Sequence, residues 1–121
     1  MAKFMFIYLD PIEKTGPQPS PEEMQNVMQT WWEWLGRGQQ EGWCVAMGDP
    51  LHATVKTVGP DHVITDGPHA EAKELVGGYS IVQAKTSEQA CEHAKGCPIF
   101  ATGGRVEVRE IVDTDEASPS E

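Results

Sequence analysis

Apolar positions recur along this chain at two different periods. Residues Lys3 to Leu9 read Lys-Phe-Met-Phe-Ile-Tyr-Leu, a run of aromatic and branched side chains that predicts a strand. Phe4, Phe6 and Tyr8 fall on one alternating face and Met5, Ile7 and Leu9 on the other. A strand apolar on both faces must be covered on both. From Met24 the period becomes helical: Met24, Val27, Met28, Trp31 and Leu35 form one stripe, with Trp32 and Trp34 flanking it on opposite sides. The helix is predicted from Pro21 to Gln40. Ser20-Pro21-Glu22-Glu23 opens it with an N-cap serine, a proline at the first helical position and a glutamate at N3. Gly36 and Gly38 weaken its last turn. Three tryptophans within four positions exceed what one buried face requires, which places at least one at a rim or interface.

Between these two elements, Asp10 to Pro19 carries three prolines and a glycine and reads as a loop. Trp43 to Met47 is a short strand ended by Gly48-Asp49-Pro50. Thr54 to Val58 and His62 to Thr65 form a hairpin turning at Gly59-Pro60-Asp61. Gly78 to Ala84 is a further strand, opened by Gly77-Gly78. Thr86 or Ser87 caps a second helix running to about Lys95, with Ala90, Cys91 and Ala94 as its apolar face, and Gly96-Cys97-Pro98 ends it. The last strand, Arg105 to Val112, carries Val106 and Val108 on one face and Arg105, Glu107 and Arg109 on the other. The order β-α-β-(hairpin)-β-α-β is the ferredoxin-like α+β plan, an antiparallel sheet with two helices on one face. Two helices cover one side only. The doubly apolar first strand therefore predicts a homodimer whose sheets meet face to face, a dimeric α+β barrel.

The densest turn chemistry lies in Asp66-Gly67-Pro68-His69-Ala70-Glu71-Ala72-Lys73-Glu74-Leu75-Val76-Gly77-Gly78-Tyr79. Glycine can take a positive φ, and proline fixes φ and donates no amide, so Asp-Gly-Pro stops one strand. This stretch resembles the YCII-related family, in its DGPF subgroup, whose signature is Asp-Gly-Pro-Phe followed by Ala-Glu-Thr-Lys-Glu and a Gly-Gly-Tyr strand. Here His69 stands for Phe and Ala72 for Thr, and the other signature positions match. The aromatic run Phe4 to Tyr8, Gly48 with Leu51, Cys97-Pro98 and Val106-Glu107-Val108-Arg109 are also family-like, although Glu110 stands where the family usually has proline. The resemblance covers nearly the whole chain. It implies a dimeric ferredoxin-like fold in a family whose activity is largely unassigned, and an association with extracytoplasmic-function sigma factors.

Composition narrows the partners. The 121 residues suit one domain, read over 1–112, with an acidic tail over 113–121 predicted to be disordered. Nineteen acidic residues against nine Lys and Arg leave a net charge of −10, which argues against nucleic acid or an anionic membrane. No apolar run reaches the roughly 20 residues of a membrane span. Cys44, Cys91 and Cys97 are odd in number and form no CxxC, so buried free thiols in a cytoplasmic, reducing setting are expected.

Candidate chemistry centres on the signature. Asp66 is a candidate general base or ligand-orienting carboxylate, or alternatively an Asx-type residue bonding its own loop amides. His69, three residues on, is placed either to tune proton transfer beside Asp66 or to pack where the family has Phe. His52 is a third candidate imidazole. Glu71, Lys73 and Glu74 mix signs in a candidate ligand-binding loop. The sharper expectation is that Glu71 or Glu74 meets Arg109 or Arg105 from the last strand. Tyr79, Glu107 and Arg109 are further candidate ligand contacts, Glu107 and Arg109 on the face opposite Val106 and Val108, with Arg109 holding an anion in bidentate fashion. His62 and His93 are scattered, His93 facing solvent. No HxH, HxxxH or CxxC spacing favours a metal, and no cofactor motif is present. Three functions fit: a dimeric protein binding a small organic molecule, an anion among them; an acid–base enzyme acting on a small organic acid; and, from the resemblance, an accessory protein contacting a sigma factor.

Overall fold

The computed structural model describes residues 1–13, 17–69 and 71–115. The middle of the loop read over 10–19, Ala70 of the signature, and residues 116–121 of the acidic tail lie outside the described residues. The chain is an α+β arrangement of two helices and an antiparallel sheet. In order it forms β1 (Ala2–Pro11), α1 (Pro21–Glu41), β2 (Cys44–Ala46), β3 (Lys56–Val58), β4 (Ile64–Asp66), β5 (Glu74–Ala84), α2 (Ser87–Ala94), a 3-10 turn (Pro98–Thr102) and β6 (Arg105–Glu110). The main sheet has the order β2-β5-β1-β6, and β3 pairs with β4 in a separate hairpin. Every pairing is antiparallel. Among the described helices none is long and apolar enough to cross a membrane.

Alternation along β1 separates two environments. Phe4, Phe6 and Tyr8 are buried under the helices, whereas Met5, Ile7 and Leu9 are half-buried on the opposite face. Val82 and Ala84 of β5, Trp34 and Leu35 of α1, and Ala90 and Ala94 of α2 close the core on the helical side. Phe6 stacks on Trp34 with ring centres 6.2 Å apart, and Trp34 tilts against Trp43 at 5.5 Å. Each fully buried aromatic of this kind contributes about 1.5–3 kcal/mol.

Both helices begin where their capping residues require. The Ser20 hydroxyl accepts from the Glu23 amide, and the Glu23 carboxylate accepts from the Ser20 amide. Thr86 accepts from Gln89 in the same way. The buried side of α1 differs from the expected stripe. Trp34 is buried, while Met24, Met28 and Trp32 are exposed. Only the C-terminal half of the helix rests on the sheet, where Phe6 and Trp43 receive Trp34, and the N-terminal half overhangs the sheet's end. Two features of α2 also depart from expectation. Cys91 is exposed, because Ala90 and Ala94, one turn apart, form the buried stripe. His93 is half-buried and stacks on Trp43 at 4.8 Å and 13°. Its polar neighbour Glu92 points elsewhere, since adjacent helical residues diverge by about 100°.

The largest departure is in β5, which begins at Glu74 and runs through both glycines rather than starting at Gly78. Tyr8 pairs with Gly78 and Leu9 with Val76, so Gly77 is the extra residue of a bulge. The segment after β2 crosses this point closely. Pro50 bridges Gly78, and the Leu51 amide donates to the Gly77 carbonyl at 2.8 Å. A side chain on Gly78 would lie 3.0 Å from the Asp49 carbonyl, and one on Gly48 would run into the backbone of Tyr79. Gly48 also has φ of 73°, which favours glycine.

Gly48→Ala should therefore lower stability by about 2 kcal/mol or more, through the positive φ and the lost approach to β5. Gly36→Ala, inside α1 with open space around it, should raise stability by about 0.5–1 kcal/mol. Urea unfolding of the two variants checks the contrast, and equal effects would show that the crossing does not constrain the fold.

Candidate functional site

Three elements that are remote in sequence meet at the end of the sheet beneath the overhang of α1. Tyr8 of β1 donates to the Ser80 hydroxyl of β5 at 2.6 Å, and Ser80 donates to the Met47 carbonyl at 2.6 Å. The directions follow by elimination: a carbonyl can only accept, so the Ser80 proton goes to Met47 and the Tyr8 proton to Ser80. Ser80 is fully buried. Burial pushes the Tyr8 hydroxyl pKa well up, against a smaller opposing effect of the bond to Ser80, so the phenol stays protonated.

Tyr8 also forms the floor of a cleft of about 880 Å³. One wall is α1, through Val27, Trp31 and Leu35; another is the crossing segment 47–50 with Gly77 and Gly78; the 3-10 turn closes the far side at Ile99. Trp31 meets Tyr8 edge-on at 4.6 Å. Asp10 lies on this side of β1, its carboxylate over Gly77, where a side chain on that residue would strike it. Asp49 borders the same cleft and accepts from the Tyr79 hydroxyl at 3.4 Å. A concave, largely apolar space with a few polar groups at its floor and rim has the make-up of a small-molecule site.

The residues singled out from the sequence lie mostly elsewhere. Asp66 ends β4 with its side chain exposed and pairs with Lys56 across the hairpin at 2.6 Å. Between side chains this exposed, such a pair contributes about 0–1 kcal/mol. The Gly67 amide donates to Val55, and the Thr57 hydroxyl donates to the Gly67 carbonyl, both at 2.7 Å. Asp-Gly-Pro thus clasps the small hairpin. His69 is exposed, and its Nδ1 accepts from the Glu71 amide at 3.3 Å. His52, Glu71 and Lys73 are exposed, and the Lys73 carbonyl accepts from the Ile12 amide at 3.1 Å. Glu74 meets Arg105 at 3.2 Å, one of the pairings expected. Arg109 and Glu107 approach to 3.9 Å on the uncovered face of β6. Of these residues Tyr79 alone borders the cleft.

The residues that sequence reasoning missed are Asp10, Asp49 and the Tyr8–Ser80 pair. Asp10 reads as the start of a loop and Asp49 as punctuation before Pro50. Tyr8 and Ser80 are 72 positions apart. A usable signal was Ser80 itself, a polar residue on the inward face of an otherwise apolar strand. Among the described residues no group of three His, Cys, Asp or Glu side chains converges to hold a metal ion. Cys44 and Cys97 are buried; burial raises both thiol pKa values, that of Cys97 to about 12.

With this geometry in place, the sequence model of the YCII-related domain matches residues 4–115. A search of the curated proteins finds no match.

Three outcomes follow from these hydrogen bonds and from the placement of the thiols. Tyr8→Phe removes one donor and leaves Ser80 bonded to Met47, so it should cost about 1 kcal/mol. Ser80→Ala strands both the Tyr8 hydroxyl and the Met47 carbonyl and should cost about 2–3 kcal/mol; chemical denaturation would resolve the order, and the reverse order would exclude the chain. A thiol reagent at pH 8 should label Cys91 promptly, and Cys44 and Cys97 only after unfolding. Because folding raises the Cys97 pKa from about 8.5 in an unfolded chain, its stabilising contribution is complete below that pH and is lost towards pH 12. A Cys97→Ala variant should accordingly lose less stability between those limits than the parent.

Proposed function

This chain belongs to the YCII-related domain family, and we propose that it acts as a small-molecule binding protein whose site is the cleft floored by Tyr8, in a homodimer joined through the uncovered sheet faces. The single observation that carries the binding role is the 880 Å³ cleft, with Trp31 and Leu35 as an apolar wall and Tyr8, Asp10 and Asp49 as polar groups. The signature stretch contributes to it indirectly. Gly77 and Gly78 let segment 48–51 and Asp10 approach β5 closely, while Asp66 to Pro68 hold the adjoining hairpin.

The sheet order β2-β5-β1-β6 around two crossover helices supports the ferredoxin-like plan, and the signature residues support membership of the DGPF subgroup. The dimer rests on the other face of the sheet. Met5, Ile7 and Leu9 lie there beside Ile81 and Tyr79 of β5, with Arg105, Glu107 and Arg109 of β6 along one margin. An apolar centre with a charged margin is the make-up of a protein interface. A second copy of the sheet would cover the half of β1 that the helices leave open.

The binding role is tested by replacing Val27, half-buried in the cleft wall, with Trp. Binding of small aromatic compounds, followed by intrinsic tryptophan fluorescence, should be lost while the circular dichroism spectrum is kept; unchanged binding would place the site elsewhere. For assembly, sedimentation velocity should give a dimer for the parent and a monomer for Ile7→Asp. A monomeric parent would remove the sheet-to-sheet interface.

A further inference from the structure

We infer that the cleft selects an organic cation: a protonated amine carried on an apolar or aromatic body. This rests on the cleft being the binding site and adds the chemical class of its ligand. Among the described lining residues the charged side chains are Asp10, Glu13, Glu23 and Asp49, all acidic. The buried polar group on the floor reinforces the same sign. The Tyr8 proton is committed to Ser80 and the Ser80 proton to Met47, so the phenolic oxygen turns only acceptor lone pairs towards a ligand. Asp49 receives one hydrogen bond from Tyr79, and a carboxylate can accept several more. A ligand that reaches Asp10, Asp49 or the Tyr8 oxygen meets acceptors there and must bring donors to them.

Two other features disfavour an anion. The N-terminus of α1 borders the cleft, and an open helix start would attract negative charge. Here the amides of Ser20 and Glu23 are already engaged in the reciprocal cap, and Glu23 adds its own carboxylate. Arg109, the cation expected to hold an anion, lies on the opposite face of the sheet beside Glu107. The aromatic groups also suit a cation. Trp31 stands against Tyr8, and Trp32, nearly half exposed at 47%, sits at the mouth. Indole faces attract ammonium groups, the more so where water is excluded. The ammonium would sit at the acidic rim beside Asp10 or Asp49, with the apolar body against Trp31 and Met28.

The test uses three probes of matched shape and different charge: 2-phenylethylamine, 2-phenylethanol and 3-phenylpropionate. Each is titrated calorimetrically into the full chain at neutral pH. The amine should bind at least tenfold more tightly than the other two. Asp10→Asn should bring the amine to within about threefold of the alcohol while leaving the alcohol unchanged. If that variant fails the folding check by circular dichroism, Asp49→Asn serves in its place with the same expectation. Glu88→Gln, an exposed carboxylate on α2 away from the cleft, should change nothing. Equal affinities, a preference for the acid, or an equal loss in Glu88→Gln would overturn the inference and leave the cleft a binding site of another specificity. Failure of all three probes to bind up to 10 mM, on the order of the weakest affinities a specific site shows, would overturn both the inference and the binding role.

Discussion

Two hydrogen bonds of 2.6 Å, from Tyr8 to Ser80 and from Ser80 to the Met47 carbonyl, tie three segments of the chain together through buried polar groups. They link the central strand, its longest neighbour and the segment that crosses over after β2, where buried side chains exclude water. A buried polar group without a partner costs about 1–3 kcal/mol, so each of the three groups depends on the other two. The rest of the cleft is arranged around this joint. Gly77 and Gly78 bring the crossing segment near enough for Met47 to accept, and the same approach sets Asp10 and Asp49 at the rim.

The central strand serves two environments at once because its side chains alternate. Phe4, Phe6 and Tyr8 belong to the core and the cleft floor; Met5, Ile7 and Leu9 belong to the face the helices leave uncovered. The bulge at Gly77 marks the change of character along the sheet. Before it the inward residues are packed under aromatic rings. Beyond it Asp10 replaces apolar bulk on the inward side, and Glu74 and Arg105 pair on the outer one. One extra residue in β5 thereby separates the packed core from the open end that forms the cleft.

Site legibility was uneven for a definite reason. Local turn chemistry is written in short stretches, and Asp66-Gly67-Pro68 does what such residues do: it clasps a hairpin, the Asp66 carboxylate accepting from Lys56 rather than from its own loop amides and the Gly67 carbonyl accepting from Thr57. Proximity in sequence among Asp66, His69, Glu71 and Lys73 suggested a site, but exposed side chains on one loop do not enclose a volume. Enclosure needed Tyr8, Trp31, Met47 and Ile99, which come from four separate elements. The tryptophans show the same limit. Helical spacing identified an apolar stripe on α1, yet which side is buried followed from where Phe6 and Trp43 stand and from how far the helix overhangs the sheet.

What the sequence by itself determined is local: the caps of both helices, the strand at residues 3–9 with its two apolar faces, the alternation of Val and charged residues in β6, and the α+β order of elements. These depend on backbone geometry and on side-chain periods of 2 and 3.6, which act within a few residues. The tertiary structure alone decided that β5 runs through its glycines, that His93 lies on Trp43, that the signature stretch braces the fold, and that the charged side chains among the described residues of the cleft are acidic and stand beside aromatic groups. Each of these is a contact between segments tens of residues apart, set by which surfaces can approach closely. No local pattern encodes that distance.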